Sequence, residues 1–171
     1  MSHVLFFPDK VTTDAFSSPS KKQQQKGNFS ILLEALESAQ SSLDVCVFTI
    51  SCQELSGVLI NAHRRGVVVR VVTDNEQMSS SGSQIERLRR AGVQVRNDNT
   101  SYYMHHKFAV VDGICLVNGS LNWTIQGVCG NQENVIITNN PQLVQPFVQQ
   151  FEHLWDKYHP GKSFQSALID E

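Results

Sequence analysis

Residues 105 to 112 read His105-His106-Lys107-Phe108-Ala109-Val110-Val111-Asp112, and Gly119-Ser120-Leu121-Asn122 follows shortly after. An imidazole that attacks or passes a proton, an ammonium that neutralises charge, and hydroxyl and amide donors together suit a phosphate ester. An extended strand alternates its faces, so His105 and Lys107 project together while His106 points the other way. Parity therefore selects His105 as the reactive histidine and leaves His106 as a partly buried structural one. Asp112-Gly113 is a favoured two-residue hairpin turn. With these two at the tip, antiparallel pairing sets Lys107 opposite Asn118 and His105 opposite Ser120, and Asn122 continues the same face. Asp112 is then a turn residue with an orienting role at most. No cluster of Asp and Glu accompanies the set, so neither magnesium nor another metal or cofactor is expected.

The elements that must position this hairpin are read from periodicity. After a short strand at 4–7, residues 11–27 are polar, with Ser17-Ser18-Pro19-Ser20-Lys21-Lys22-Gln23-Gln24-Gln25-Lys26, and predict a surface loop. Phe29, Leu32, Leu33, Leu36 and Ala39 recur at helical spacing, and 43–50 is a strand buried on both faces. Leu55, Val58, Leu59 and Ala62 mark a second helix ending at Gly66, before a β-branched strand at 67–73. Ser83-x-x-Glu86 is a capping box opening a third helix, which stops at Gly92 before a strand at 93–96. Strand-like runs at 107–111 and 114–118 form the hairpin, a further strand spans 134–138, and a long helix opens at Pro141. Its stripe of Leu143, Val144, Phe147, Val148, Phe151, Leu154, Trp155 and Tyr158 predicts core packing, and 159–171 reads as a tail. The whole predicts an α/β fold, a mixed and largely parallel sheet flanked by helices on both faces, in a single domain over 1–171.

The chain's 171 residues suit one domain at the usual ~100–200 residues each. Its composition, 40% hydrophobic and 18% charged, excludes fibrous and wholly disordered classes. A net charge of -2 excludes a protein that coats nucleic acid through bulk positive charge, so any such contact must be local. Local basic candidates are Arg64-Arg65, Arg87, Arg89-Arg90 and Lys21, Lys22 and Lys26, although Arg65 and Arg90 stand in last helical turns where cations favour the helix dipole. Tyr102, Tyr103 and Trp123 flank the motif and could stack bases or pack around it. Four cysteines without a C-x-x-C pair suggest a reducing compartment. No apolar run approaches the ~20 residues that cross a bilayer, so the chain as it stands is expected to be soluble.

His105, Lys107, Asp112, Gly119, Ser120 and Asn122 fit H-x-K-x4-D-x6-G-S-x-N at every fixed position, and the chain thereby resembles the phospholipase D superfamily. The wider run from Tyr103 to Asp112 and the segment Gly119-Ser120-Leu121-Asn122-Trp123-Thr124 are similar to its mitochondrial cardiolipin hydrolase group, also called Zucchini. The resemblance implies a metal-independent phosphodiesterase in which one histidine attacks phosphorus, through a phosphohistidine, and a second protonates the leaving oxygen. It implies catalytic roles for His105, Lys107 and Asp112 and supporting or substrate-binding ones for Ser120 and Asn122. Glu133, in Asn131-Gln132-Glu133-Asn134, matches an acid that supports the histidine; with Asp112 it would hold geometry and tautomer. Two motifs serve each site and this sequence has no second H-x-K, so a homodimer with a shared site is implied. The group's substrates are single-stranded RNA, cut in piRNA production, and cardiolipin, hydrolysed to phosphatidic acid; RNA is the preferred reading. Joint presence of His105, Lys107, Ser120 and Asn122 argues against an inert binding module. Its members commonly carry a transmembrane anchor in the mitochondrial outer membrane, facing the cytosol, and a zinc-binding insertion. Residues 12–28 hold neither Cys nor His, and the sequence opens at the strand that would follow such an anchor, as expected of a chain whose anchor was removed or of a soluble form.

Overall fold

The periodicities resolve in a computed structural model that describes residues 2–18 and 26–161. In chain order the elements are β1 (Ser2–Phe7), α1 (Lys10–Ser17), α2 (Asn28–Glu37), β2 (Ser42–Val47), α3 (Gln53–Arg64), β3 (Val68–Thr73), α4 (Ile85–Arg90), β4 (Gln94–Asn97), β5 (Lys107–Val111), β6 (Cys115–Gly119), α5 (Ile125–Cys129), β7 (Glu133–Thr138) and α6 (Pro141–Lys157). The strands form one sheet in the order β1-β7-β6-β5-β2-β3-β4. Pairing is parallel only within β2-β3-β4 and antiparallel at every other junction, so the parallel share is smaller than the opening βα rhythm predicts. Parallel neighbours need a crossover, which α3 and α4 supply; beyond β4 the β5–β6 turn is a hairpin and the chain reverses at each strand.

Helices lie on both faces, as expected of an α/β chain. On one, α2, α3 and α4 pack through Leu32, Leu36, Leu59 and Leu88 against Val45, Val71, Ala109 and Val117. On the other, α6 alone lays Val144, Phe151, Leu154 and Trp155 over Cys46, Val72, Phe108, Val110 and Leu116. Arg70 crosses this second interface, bonded to Asp44 at 2.7 Å and to Glu152, with its guanidinium 5.0 Å from the Phe151 ring centroid. Helix α6 does not cover the far strands: Leu143 is exposed, and Val4, Phe6 and Ile136 of β1 and β7 stay in water on that face. All four cysteines are free thiols.

Three local expectations give way to tertiary contacts. The polar loop expected at 11–27 begins with α1, capped by Asp9, whose carboxylate accepts from Thr12 N at 2.9 Å and Asn28 N at 3.2 Å. Phe16 anchors it on Phe29 at 5.3 Å between centroids, a contact eight residues of weak periodicity do not announce. Residues 19–25, with Lys21 and Lys22, and 162–171 of the expected tail lie outside the described residues. The expected capping box is not formed: α4 starts one residue later with Gln84 as cap, because Gln84 N bonds Ile50 O at 2.9 Å and its side chain takes the Ser56 hydroxyl at 3.1 Å.

The third correction concerns the hairpin. Phe108 pairs with Asn118 and Val111 with Cys115, so Asp112, Gly113 and Ile114 form the loop and Asn118 shares a face with Phe108, not Lys107. Both Asp112 (φ 52°) and Gly113 (φ 68°) are left-handed. The Asp112 carboxylate accepts N–H bonds from Gln40 (3.0 Å), Ser41 (2.7 Å) and Ser42 (2.9 Å), and the Ser41 hydroxyl at 2.9 Å. These bonds and the Asp112 N–H bond to Ser42 O at 2.9 Å tie the residue to the start of β2, while the β5–β6 pairing ends at Val111 and Cys115, which makes the turn one residue longer. Burial disfavours its charge, but the N–H groups of Ser42, Ser41 and Gln40 outweigh that and hold the carboxyl below its usual range.

The ionised form is the stabilising one, so its contribution is complete above the unfolded pKa of about 3.9 and fades as pH falls through the lower native value. Asp112→Asn, which tolerates positive φ, is expected to cost about 1–2 kcal/mol at pH 7 after solvent screening. Urea unfolding should show the gap from wild type closing in strong acid, and a gap independent of pH would exclude the charge as its source.

Candidate active site

Pairing directions bring the C-terminal ends of β2, β3, β4 and β6 and the N-terminal ends of β5 and β7 to one edge of the sheet. Ligands of open α/β sheets bind beyond such strand ends. His105 stands there, just before β5, in a chain pinned on either side of it. Met104 N donates to Asp74 Oδ2 at 2.9 Å, and Phe48 N donates to His106 O at 2.9 Å. Asp74 and Asp98 are fully buried, one after β3 and the other after β4. Asp74 also accepts from Glu76 N at 3.0 Å, while Asp98 accepts from Asn75 N at 2.8 Å. Burial pushes the Asp98 carboxyl up against the Asn75 hydrogen bond, and the neighbouring Asp74 charge adds to the rise. The sequence reading missed both acids; their only signal is an Asp placed where a buried strand ends, as in Val71-Val72-Thr73-Asp74.

The alternation expected of residues 105 to 107 holds in direction, but His106 is exposed like His105 rather than partly buried as expected. The His105 ring is exposed, 4.8 Å from the Phe48 centroid. Lys107 Nζ donates to His105 O at 2.7 Å and lies 3.2 Å from Nδ1. An ammonium only donates, so a hydrogen bond between the two requires Nδ1 as the acceptor. Burial lowers the Lys107 pKa, and the Glu133 charge opposes the shift. His106 turns toward α6, 5.5 Å from the Phe108 centroid, and burial, then the charges of Lys107 and His105, lower its pKa.

The second half of the motif lies along the next two strands. Continuing the ladder past Phe108 and Asn118 sets Lys107 beside Gly119, which corrects the expected partners Asn118 for Lys107 and Ser120 for His105. A Cβ on Gly119 would stand 1.9 Å from Asn134 O, the carbonyl that accepts Ser120 N–H at 3.0 Å, so only glycine fits. The Ser120 hydroxyl donates to Glu133 and accepts Asn134 N–H at 3.1 Å. Glu133 also accepts from Asn131 at 3.1 Å; its carboxylate is thus tied to Ser120 and Asn131, not to His105 as expected. Asn122 Oδ1 is buried without a hydrogen-bond partner among the described residues, a rare condition in folded chains. Trp123 is buried, and its backbone bonds to Thr49 O at 3.0 Å and Cys52 N at 2.8 Å join this segment to the end of β2.

Other expected residues lie elsewhere. Asp112 occupies the opposite end of β5, so it cannot orient His105 directly. Arg65 bonds Glu37 O and Ala39 O at that same far end, which removes Arg64-Arg65 from the reactive edge. Arg90 pairs with Glu86 and Lys26 with Glu34, while Arg87 is held by Ser56 and Gln84. Among the described residues no group of three or more His, Cys, Asp or Glu is disposed to hold a metal ion.

With this geometry established, comparisons add ancestry. A family model described as cardiolipin synthase, PLD-like domain, matches residues 32–155. The mitochondrial cardiolipin hydrolase of Xenopus tropicalis is 50% identical over 164 residues, covering 92% of this chain and 78% of its own length. The Homo sapiens protein of that name is 44% identical over 172 residues, covering 92% and 68%. Nuc, a phospholipase D family member from Salmonella typhimurium, superposes with a TM-score of 0.77 at 23% identity over 95% of this chain and 99% of Nuc. NucT from Helicobacter pylori gives 0.73 at 19% identity over 91% and 96%. These two likenesses show the fold.

Gly119→Ala is expected to push β6 from β7 at Asn134, costing about 2–3 kcal/mol and displacing Ser120. Chemical denaturation with an activity assay checks this; wild-type stability would show that the two strands separate freely.

Proposed function

The chain belongs to the phospholipase D-like family and is a phosphodiesterase hydrolase, and on that premise we propose that His105 and Lys107 form half of a metal-independent active site that a second copy of the chain completes. The carrying observation is the His105 ring itself, exposed at the reactive edge with Lys107 Nζ 3.2 Å from its Nδ1. Attack through Nε2 needs the neutral ring with its hydrogen on Nδ1, whereas giving a proton to the leaving oxygen needs the imidazolium. One ring cannot hold both states, and the sequence has one H-x-K, so two copies supply the two roles. One His105, neutral, attacks phosphorus and forms a P–N bond as the P–O bond to the leaving group breaks; the other, as the imidazolium, gives its Nε2 proton to that oxygen and is left neutral. Water then attacks phosphorus, returns a proton to the second ring, and the P–N bond breaks. Lys107 and the Asn122 amide stabilise the charge on the phosphoryl oxygens. Ser120 and Glu133 hold the strand ends that carry these groups.

The surface for a second copy is the uncovered strip of Val4, Phe6 and Ile136, exposed by 58%, 65% and 40%. Phe6 pairs with Asn134, the residue after Glu133, so the strip begins at the reactive edge. A partner there would remove apolar side chains from water that α6 leaves bare.

The substrate proposed is single-stranded RNA, supported by the exposed Tyr102 and Tyr103 beside His105. The second reading, hydrolysis of cardiolipin to phosphatidic acid, is supported by the names of the relatives, which also support association with mitochondria. No helix among the described residues is long and apolar enough to cross a membrane.

In excess EDTA, wild type is expected to cleave end-labelled single-stranded RNA. His105→Asn should lose about 10³-fold or more with the fold intact, and His106→Asn less than about tenfold. Equal losses would overturn the assignment, and an enzyme that cleaves cardiolipin vesicles but not RNA would establish the second reading. Phe6→Glu is expected to shift sedimentation from dimer to monomer and to abolish turnover; a fully active monomer contradicts the shared site.

A further inference from the structure

Phe48 follows β2 with its ring wedged between two others. The His105 centroid lies 4.8 Å away and that of Tyr103 5.5 Å away, edge on, with Lys107 Nζ 5.3 Å from the same ring. Tyr103 is nonetheless 62% exposed. Its loop is not a loose tip. Thr100 accepts Tyr102 N–H at 3.2 Å and donates to Tyr102 O at 3.0 Å, and Met104 N–H is bound by the buried Asp74. An aromatic ring held in water by an anchored loop, backed by a second ring and one contact from the reactive imidazole, is a preorganised flat surface. Trp123, the other aromatic flanking the motif, is buried in the core and takes no part.

We propose that Tyr103, backed by Phe48, is the stacking platform for the base of a nucleotide adjoining the scissile phosphate. This rests on the RNA reading above and goes further, because it names the group that recognises the substrate. A phosphodiester at His105 and Lys107 carries, in a nucleic acid, a flat ring on the neighbouring nucleotide. In a phospholipid the same phosphate is flanked by glycerol carbons, which gain nothing from a ring face. Stacking accepts any base, since each has a π face, so this platform gives affinity without base preference.

The test uses full-length protein and two synthetic single-stranded RNAs, one intact and one with a single abasic nucleotide beside the cleaved linkage. Loss of the base is expected to raise KM for wild type about tenfold to a hundredfold. Tyr103→Ala should show that rise already on intact RNA and no longer distinguish the two substrates, while Tyr103→Phe, which keeps the ring, should behave as wild type. A Tyr103→Ala enzyme as sensitive to base removal as wild type overturns the platform alone, leaving RNA cleavage in place. Wild type that hydrolyses cardiolipin vesicles and neither binds nor cuts RNA overturns both readings together.

Discussion

β5 runs antiparallel beside β2, from Lys107 opposite Val47 to Val111 opposite Leu43, and the reactive edge depends on where that ladder begins. Side chains alternate, so a slip of one residue would carry His105 into the α6 interface and bring His106 to the edge. The ladder is held at both ends. At one, Phe48 N–H bonds His106 O; at the other, the Asp112 carboxylate gathers the N–H groups of Gln40, Ser41 and Ser42 that lead into β2. The interval from His105 to Asp112 is therefore the length of a strand, and the bonds of the acid to residues 40–42 fix the far end of that strand.

The second half of the motif is governed by a different constraint, the close approach of β6 and β7. Gly119 lets the Asn134 carbonyl reach Ser120 N–H, and the Ser120 hydroxyl then meets Glu133. The two halves are sewn together by residues 48–52, which bond to His106 on one side and Trp123 on the other. Buried Asp74 and Asp98 hold the loops after β3 and β4 by accepting N–H groups rather than by ion pairing. An anchored edge results, with Tyr103 exposed above it and Phe6 exposed beside it.

Legibility followed the range of each interaction. Helices α2, α3 and α6 and strands β2, β3 and β5 were readable because each repeats its apolar residues over enough positions to show a period. Short α1 was not, since its stability comes from Asp9 and from Phe16 on Phe29. Asp112-Gly113 locally favours a two-residue turn, yet the acid is bound to residues some seventy positions away and the turn is one residue longer. The same distance hid Asp74, whose link to Met104 spans thirty residues.

By itself the sequence marked the residues whose types suit phosphate chemistry and set the two adjacent histidines on opposite sides of the chain. Motif offsets and strand parity are properties of neighbouring residues, and no packing is needed to read them. Only the tertiary structure decided that Asp112 binds residues 40–42 at the far end of β5, that Glu133 holds Ser120, that Arg65 stands away from the edge, and that Tyr103 rather than Trp123 is presented to solvent. Each depends on contacts between residues remote along the chain, and those are set by how helices and strands pack rather than by any local pattern.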